Sequence, residues 1–239
     1  MSPEPKPIPT VDEPLTDLTD QRVIQILSTE HWSLLGARSL AYNEAFVRGG
    51  MFLTFLSASL VALALFNTAM SFGGDFLVVA AIVLAFDLVI GLTTYGRISG
   101  ANVDDLRAVH GMARIRHSYV QIAPVVAPYF TSSTHDDFES VLTAYGTLPE
   151  SGAGQLLYGL TTSGGMIGLI TSMVGGVLAS VIGLLVGTSG GLAVWIGLGG
   201  GLLVFGLIVL FTFGAVPRQQ QAMASIFPAS TTEEPAAER

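Results

Sequence analysis

Residues 151–217 contain no Asp, Glu, Lys or Arg, a charge-free run of 67 residues, and residues 49–74 form a second such run. A domain folded in water covers itself with charge, about 25% of its residues on average. This chain carries 12% charged residues against 50% apolar. A helix crossing roughly 30 Å of hydrocarbon needs about 20 apolar residues at 1.5 Å each. Four segments meet that length: Met51–Met70, Phe76–Tyr95, Met166–Gly187 and Leu192–Gly214. Core helices of a large soluble protein would keep a polar stripe on one face, and these four do not. The pattern predicts an all-α membrane protein with four transmembrane helices in two hairpins, one over residues 51–95 and a Gly-rich one over 166–214. Its principal partner is then the lipid bilayer.

The cations fix how such a chain threads. Arg22, Arg38 and Arg48 precede the first span, Arg97, Arg107, Arg114 and Arg116 follow the second, and Arg218 follows the fourth. The two short connections, Ser71–Asp75 and Thr188–Gly191, carry no Lys or Arg. Cytoplasmic loops collect Lys and Arg, so both termini are expected inside, with almost nothing projecting outward. Residues 1–14 hold five prolines among acids. They are expected to be a disordered tail and lack the cationic and apolar regions of a signal peptide.

The remaining pieces are expected to form a helical cytoplasmic collar. Residues 15–50 read as an amphipathic helix running into the first span, with apolar residues at Ile24, Leu27, Leu34, Ala41 and Ala45. Glu44 and Arg48 pair on it at i,i+4. Residues 96–165 read as a helical insert. One helix runs from Ser99 to Ile122 and is ended by Pro124 and Pro128. A second is expected to open at Ser133–Asp137, where Ser133-x-x-Asp136 and Thr134-x-x-Asp137 fit capping boxes, and to end near Gly146. The uncharged stretch Ser151–Gly165 is expected at the membrane interface. Residues 215–239 read as a cytoplasmic tail, briefly amphipathic from Gln219 and disordered after Pro228.

Several chemistries are excluded. The chain has no cysteine, so it has no disulfide, thiol nucleophile or thiolate metal site. Its one lysine, Lys6, lies in the proline-rich tail and supplies neither a P-loop nor a Schiff base. A net charge of −8 argues against a nucleic-acid partner. Gly187-Thr188-Ser189-Gly190-Gly191 fits G-x-S-x-G, but that elbow needs a preceding strand and a nearby base. His31, His110, His117 and His135 all fall on the other side of the expected membrane. No enzyme, cofactor or metal centre is expected. His135, Asp136, Asp137 and Glu139 are ligand types, but acids in the first turn of a helix also complement its dipole.

Asp87 is the sharpest feature. It lies mid-way along the second span, where a carboxylate costs on the order of 3 kcal/mol. Helical spacing puts it on one face with Ala80, Gly91 and Thr94, and antiparallel counting sets Ser59 at its depth. Gly175 or Gly176, and Gly206, are level with it on the other two spans. No span contains Lys, Arg or His. Asp87 is then protonated and hydrogen-bonded, ionised in a wet pore, or ionised beside a bound cation. The functional reading makes Asp87, with Ser59 and Thr94, a proton or ion pathway repeated around a homo-oligomer. The plain reading makes it a neutral Asp bonded to Ser59 or a carbonyl.

Fifteen of the 28 glycines lie between Gly164 and Gly214. Gly175, Gly176, Gly183, Gly187 and Gly206 are read as helix-packing positions, with Gly183-x-x-x-Gly187 at small-xxx-small spacing. The alternative is an unwound segment whose carbonyls line a pathway. Arg107, His110, Arg114 and His117 form one stripe at spacings of 3, 4 and 3. That stripe suits an anion or lipid headgroup, or a pH response through its histidines, or else it is a solvated face or pairs with acids such as Asp104, Asp105 or Glu30.

The blocks LSTEHWSLLGARSLAYNEAFVRGGMFLTFLSASLVALAL, Leu27–Leu65, and HGMARIRHSYVQIAPVVAPYF, His110–Phe130, resemble a group of uncharacterised bacterial four-pass integral inner-membrane proteins. The resemblance implies a bacterial inner-membrane location and no site residues. Two functions follow as expectations: an oligomeric channel or proton-linked transporter for a small ion, or a membrane-anchored interaction module whose cytoplasmic insert docks a protein partner.

Overall fold

The computed structural model describes residues 17–70, 73–146, 154 and 159–229. The expectations for 1–14, for most of 151–158 and for 230–239 lie outside the described residues. Among those described, every regular element is helical. They are α1 (Gln21–Met70), α2 (Gly74–Ile122), the short α3 (Phe138–Leu142), α4 (Ser163–Leu185) and α5 (Gly190–Ala222), with 3-10 turns at Pro124–Tyr129 and Thr143–Tyr145. Four of these helices, α1, α2, α4 and α5, are long and apolar enough to cross a membrane.

α1 and α2 contain 50 and 49 residues. At 1.5 Å per residue each is about 75 Å long, more than twice a hydrocarbon layer. The expected first span and the helix before it are therefore one rod, as are the second span and the helix after it. α1 starts at Gln21 rather than at residue 15. Asp17 accepts the Thr19 N–H at 2.8 Å and Asp20 accepts the Arg22 N–H at 2.8 Å, so the acids turn the chain before the helix begins. α2 ends at Ile122, two residues before Pro124, as proline requires.

The two rods pack antiparallel along their length. Leu34 meets Gly111, Phe52 meets Gly91, and Ser59 meets Asp87. Between these contacts the Arg38 guanidinium reaches Asp105 at 2.6 Å, and Arg97 reaches Glu44 at 2.6 Å. The charged halves of α1 and α2 thus lie together at one end. α2 packs on α4, and α4 on α5. One apolar core joins Phe52, Leu56, Leu84, Ile98, Ile167 and Val174 at the level of the apolar stretches. A second, outside that level, joins Leu106, Val109, Met112 and Val141, with Leu34, Tyr145 and Met223 against it.

Two local expectations are corrected. The helix expected to open at Ser133–Asp137 opens at Phe138, and its cap is Asp137, which accepts the Ser140 N–H at 3.0 Å. Asp136 is drawn into other bonds, described below, and cannot serve as the third residue of a helix. Gly187 does not pack a helix. It has φ +87°, follows the end of α4, and its N–H bonds the Leu184 carbonyl at 3.0 Å while Thr188 N–H bonds that of Gly183 at 3.1 Å. That is a Schellman stop, which needs a left-handed residue and so favours glycine.

Candidate intramembrane carboxylate site

The buried residues of α2 within its apolar part are Phe76, Ala80, Leu84, Asp87, Gly91, Thr94, Tyr95 and Ile98. Their spacing of three and four is one helix face, and that face meets both α1 and α4. Asp87 lies in the middle of it with 0% of its surface exposed. Its Oδ1 accepts the Ser59 hydroxyl at 3.0 Å, and Ser59 is itself buried. Its Oδ2 is buried and has no hydrogen-bond partner among the described residues. A buried polar atom without a partner is costly and rare in folded proteins.

Thr94 is buried on the same face, two turns along α2. On α4, Thr171, which faces Gly91, and Ser172 are buried, and each hydroxyl returns to its own helix, Thr171 to the Ile167 carbonyl and Ser172 to that of Gly168, both at 2.7 Å. Gly91 lets Thr171 approach: a Cβ there would stand 2.6 Å from Oγ1. Tyr95 reaches Thr212 of α5 with a short hydroxyl–hydroxyl bond. Ser59 is thus the one hydroxyl bonded to Asp87 among the described residues, and the Tyr95, Thr171 and Ser172 hydroxyls lie one to two turns further along α2 and are bonded elsewhere.

The glycines divide by role. A Cβ on Gly175 would meet Val204 at 2.7 Å, and one on Gly176 would meet the Gly197 carbonyl at 2.8 Å. Gly183 lies 3.2 Å, by the same measure, from Ile196. These three hold α4 close to α5. A Cβ on Gly206 would meet nothing within 4 Å among the described residues, because the contact passes through Gly197, Gly200, Gly201 and Val204 instead. α4 and α5 are continuous helices across this contact. The alternative of an unwound, carbonyl-lined segment therefore does not describe it.

The stripe on the far half of α2 is split. Arg107 turns back to Asp104 at 3.1 Å and is exposed. His110 and Arg114 converge on Asp136, at 3.3 and 2.8 Å. The same carboxylate, with 0% side-chain exposure, accepts the Ser225 hydroxyl at 2.6 Å and the N–H groups of Ile226 and Phe227 at 2.9 and 2.7 Å. Arg114 also donates to the Ala224 carbonyl at 2.6 Å, and the Phe227 ring stacks on His117 at 4.1 Å. The anion met by the stripe is thus a carboxylate of this chain. The tail after α5 is docked there rather than loose up to Pro228. A related hub is Asp105, which accepts from Arg38, from Tyr42 at 3.1 Å and from Tyr145 at 2.5 Å.

Burial pushes the Asp136 carboxyl up, but the Ile226 amide, the Ser225 hydroxyl, Arg114 and the Phe227 amide outweigh it and hold the group well below the usual carboxylate range. A depressed native value contributes stability that is fully present above the unfolded value near 4 and is lost as pH falls. The docked tail should therefore stay in place at pH 5 and come away only in stronger acid. Peptic cleavage at Phe227, followed as the pH is lowered below 5, checks this. Comparison with protein families, curated proteins and solved structures returned no match, so function has to be argued from these residues.

Proposed function

We propose that this is a non-enzymatic, multi-pass protein of a bacterial inner membrane, built as two antiparallel transmembrane hairpins with both termini cytoplasmic. Its function is proton-linked movement of a small ion, with Asp87 as an occluded binding site in a homo-oligomer. One observation supports this most: the Asp87 carboxyl is sealed at mid-span with one oxygen unpartnered. A carboxylic acid in hydrocarbon is expensive, and such residues mark ion and proton routes. Ser59 holds one oxygen, which leaves the other to carry a proton or meet a cation. Complete burial favours a closed, proton-coupled site over a permanently open, water-filled pore.

The test is flux in proteoliposomes under a proton gradient. The parent protein should move protons or a monovalent cation, and Asp87→Asn should lower the rate at least tenfold without loss of fold. Equal flux, or none in either protein, overturns the reading. Sidedness has its own test, aided by the absence of cysteine. In intact cells an impermeant maleimide should label Ser189→Cys and spare Ile226→Cys.

A second reading is favoured by the cytoplasmic half. There α3, the far end of α2 and residues 223–229 are locked around Asp136 into a platform. Such a platform suits a docked protein partner, with the four helices as an anchor. In that case Asp87→Asn is silent in flux, and a full-length pull-down with and without Asp136→Asn is the informative comparison.

A further inference from the structure

The outward face of α1 meets no other element among the described residues. At seven-residue spacing it presents Thr29, Gly36, Asn43, Gly50, Ser57 and Ala64, all exposed. A Cβ on Gly36 or Gly50 would meet nothing within 4 Å. Glycine inside a helix weakens it, and among the described residues neither a turn nor a contact accounts for it. Beside this small row runs a larger one at Trp32, Phe46, Leu53 and Leu60, likewise exposed.

The larger row decides what covers the face. Trp32 is 68% exposed and Phe46 79% exposed, and both precede the apolar span that starts near Met51. Lipid can cover Leu53 and Leu60 but not Trp32, while a soluble partner can cover Trp32 but not Leu60. A single occupant that covers both is a rod divided between water and hydrocarbon at the same level, and a second copy of α1 is such a rod. The exposed apolar face of α5 differs, because Trp195 to Phe211 fall inside its 23-residue apolar stretch, where lipid suffices. Charge agrees. Arg38 and Glu44 are turned to α2 and Arg48 is paired with Glu44; no residue of the row from Thr29 to Ala64 is charged, and Arg22, one repeat before Thr29, is paired with Asp20.

We infer that the outward face of α1 is the seam of a parallel homodimer, in which Gly36, Asn43, Gly50 and Ser57 meet their own counterparts around a two-fold axis normal to the membrane. Copies inserted in one direction must run parallel, and a two-fold axis pairs each residue with itself. A seven-residue repeat keeps the contact along a left-handed crossing. Small residues bring the backbones close, and a buried Asn43 pair fixes the register. The inference rests on the membrane orientation above and not on ion movement.

The absence of cysteine gives a clean test in full-length protein in native membranes. Gly36→Cys, Asn43→Cys, Gly50→Cys and Ser57→Cys should form oxidant-driven dimers at least ten times more than Phe55→Cys and Leu202→Cys. Equal cross-linking at all six positions overturns the seam, as does preference for Leu202, which would put the contact on α5. In a second measurement, Gly36→Leu combined with Gly50→Leu should convert the dimer to monomer by native mass measurement. Helix content and unfolding temperature of the monomer unit should not fall, since both sites are open and leucine favours a helix over glycine. A dimer that survives this pair, or a parent that is already monomeric, overturns the inference. Neither readout depends on flux, so failure here is separable from failure of Asp87 as an ion site.

Discussion

Asp136→Ala should release the segment after α5 and cause the largest loss of order outside the apolar layer. Five groups converge on this carboxylate: the Ile226 and Phe227 amides, the Ser225 hydroxyl, Arg114 and His110. Alanine removes every acceptor at once. Each buried donor left unpaired costs about 1–3 kcal/mol, while the Arg114 guanidinium, about a third exposed and still bonded to the Ala224 carbonyl, loses less than a fully buried ion would. Water entering the opened site returns part of that, so a net effect of about 3 kcal/mol is expected. Hydrogen exchange reads it directly. Protection of the Ile226 and Phe227 amides should fall about a hundredfold, which corresponds to about 2.7 kcal/mol. Asp136→Asn keeps one carbonyl acceptor and should fall between. Unchanged protection in the alanine variant would mean that the His117–Phe227 stack and Met223 hold the segment by themselves.

The same site shows what the sequence made legible. Four apolar helices could be read from charge-free runs because hydrocarbon imposes one length and one composition on any helix that crosses it. The Ser59–Asp87 contact could be read too: two straight antiparallel rods carry one register, so depth alone pairs their residues. Asp136 could not be read that way. Its partners lie about 90 residues later in a short irregular segment, and no periodicity links a carboxylate to distant backbone amides. The capping-box pattern at Ser133–Asp137 even pointed elsewhere, because local propensity favours a cap and the tertiary bonds of Asp136 override it. Asp105 was visible as a candidate acid, but its tyrosine ligands were not. Tyr42 lies a helix away and Tyr145 in a 3-10 turn. The one available clue to the docked tail was the Ile226–Phe227 pair in an otherwise polar stretch.

Gly176→Leu should be the most damaging change within the apolar layer, and Gly206→Leu nearly silent. Both exchange glycine for the same side chain in a similar solvent, so the difference isolates the helix contact. At Gly176 a Cβ would stand 2.8 Å from the Gly197 carbonyl oxygen and 3.3 Å from the Gly201 Cα. Those atoms are backbone and cannot turn aside as a flexible side chain would, so α5 itself must move. Moving it also strains the Ser180 hydroxyl bond to the Ala193 carbonyl at 2.9 Å. Overpacking costs about 1–3 kcal/mol. For a chain of this size that is a fall of about 3–10 °C in unfolding temperature, to be followed in detergent for both variants. A larger effect is not expected from lost burial, since lipid tails are as apolar as the residues they would touch. Helices in a bilayer associate through close packing and not through a hydrophobic drive. That is why the α4–α5 contact is built from Gly176, Gly197, Gly200 and Gly201 rather than from leucines. Equal unfolding temperatures for the two variants would show that α5 is held by its connection to α4 and by the Tyr95–Thr212 bond instead.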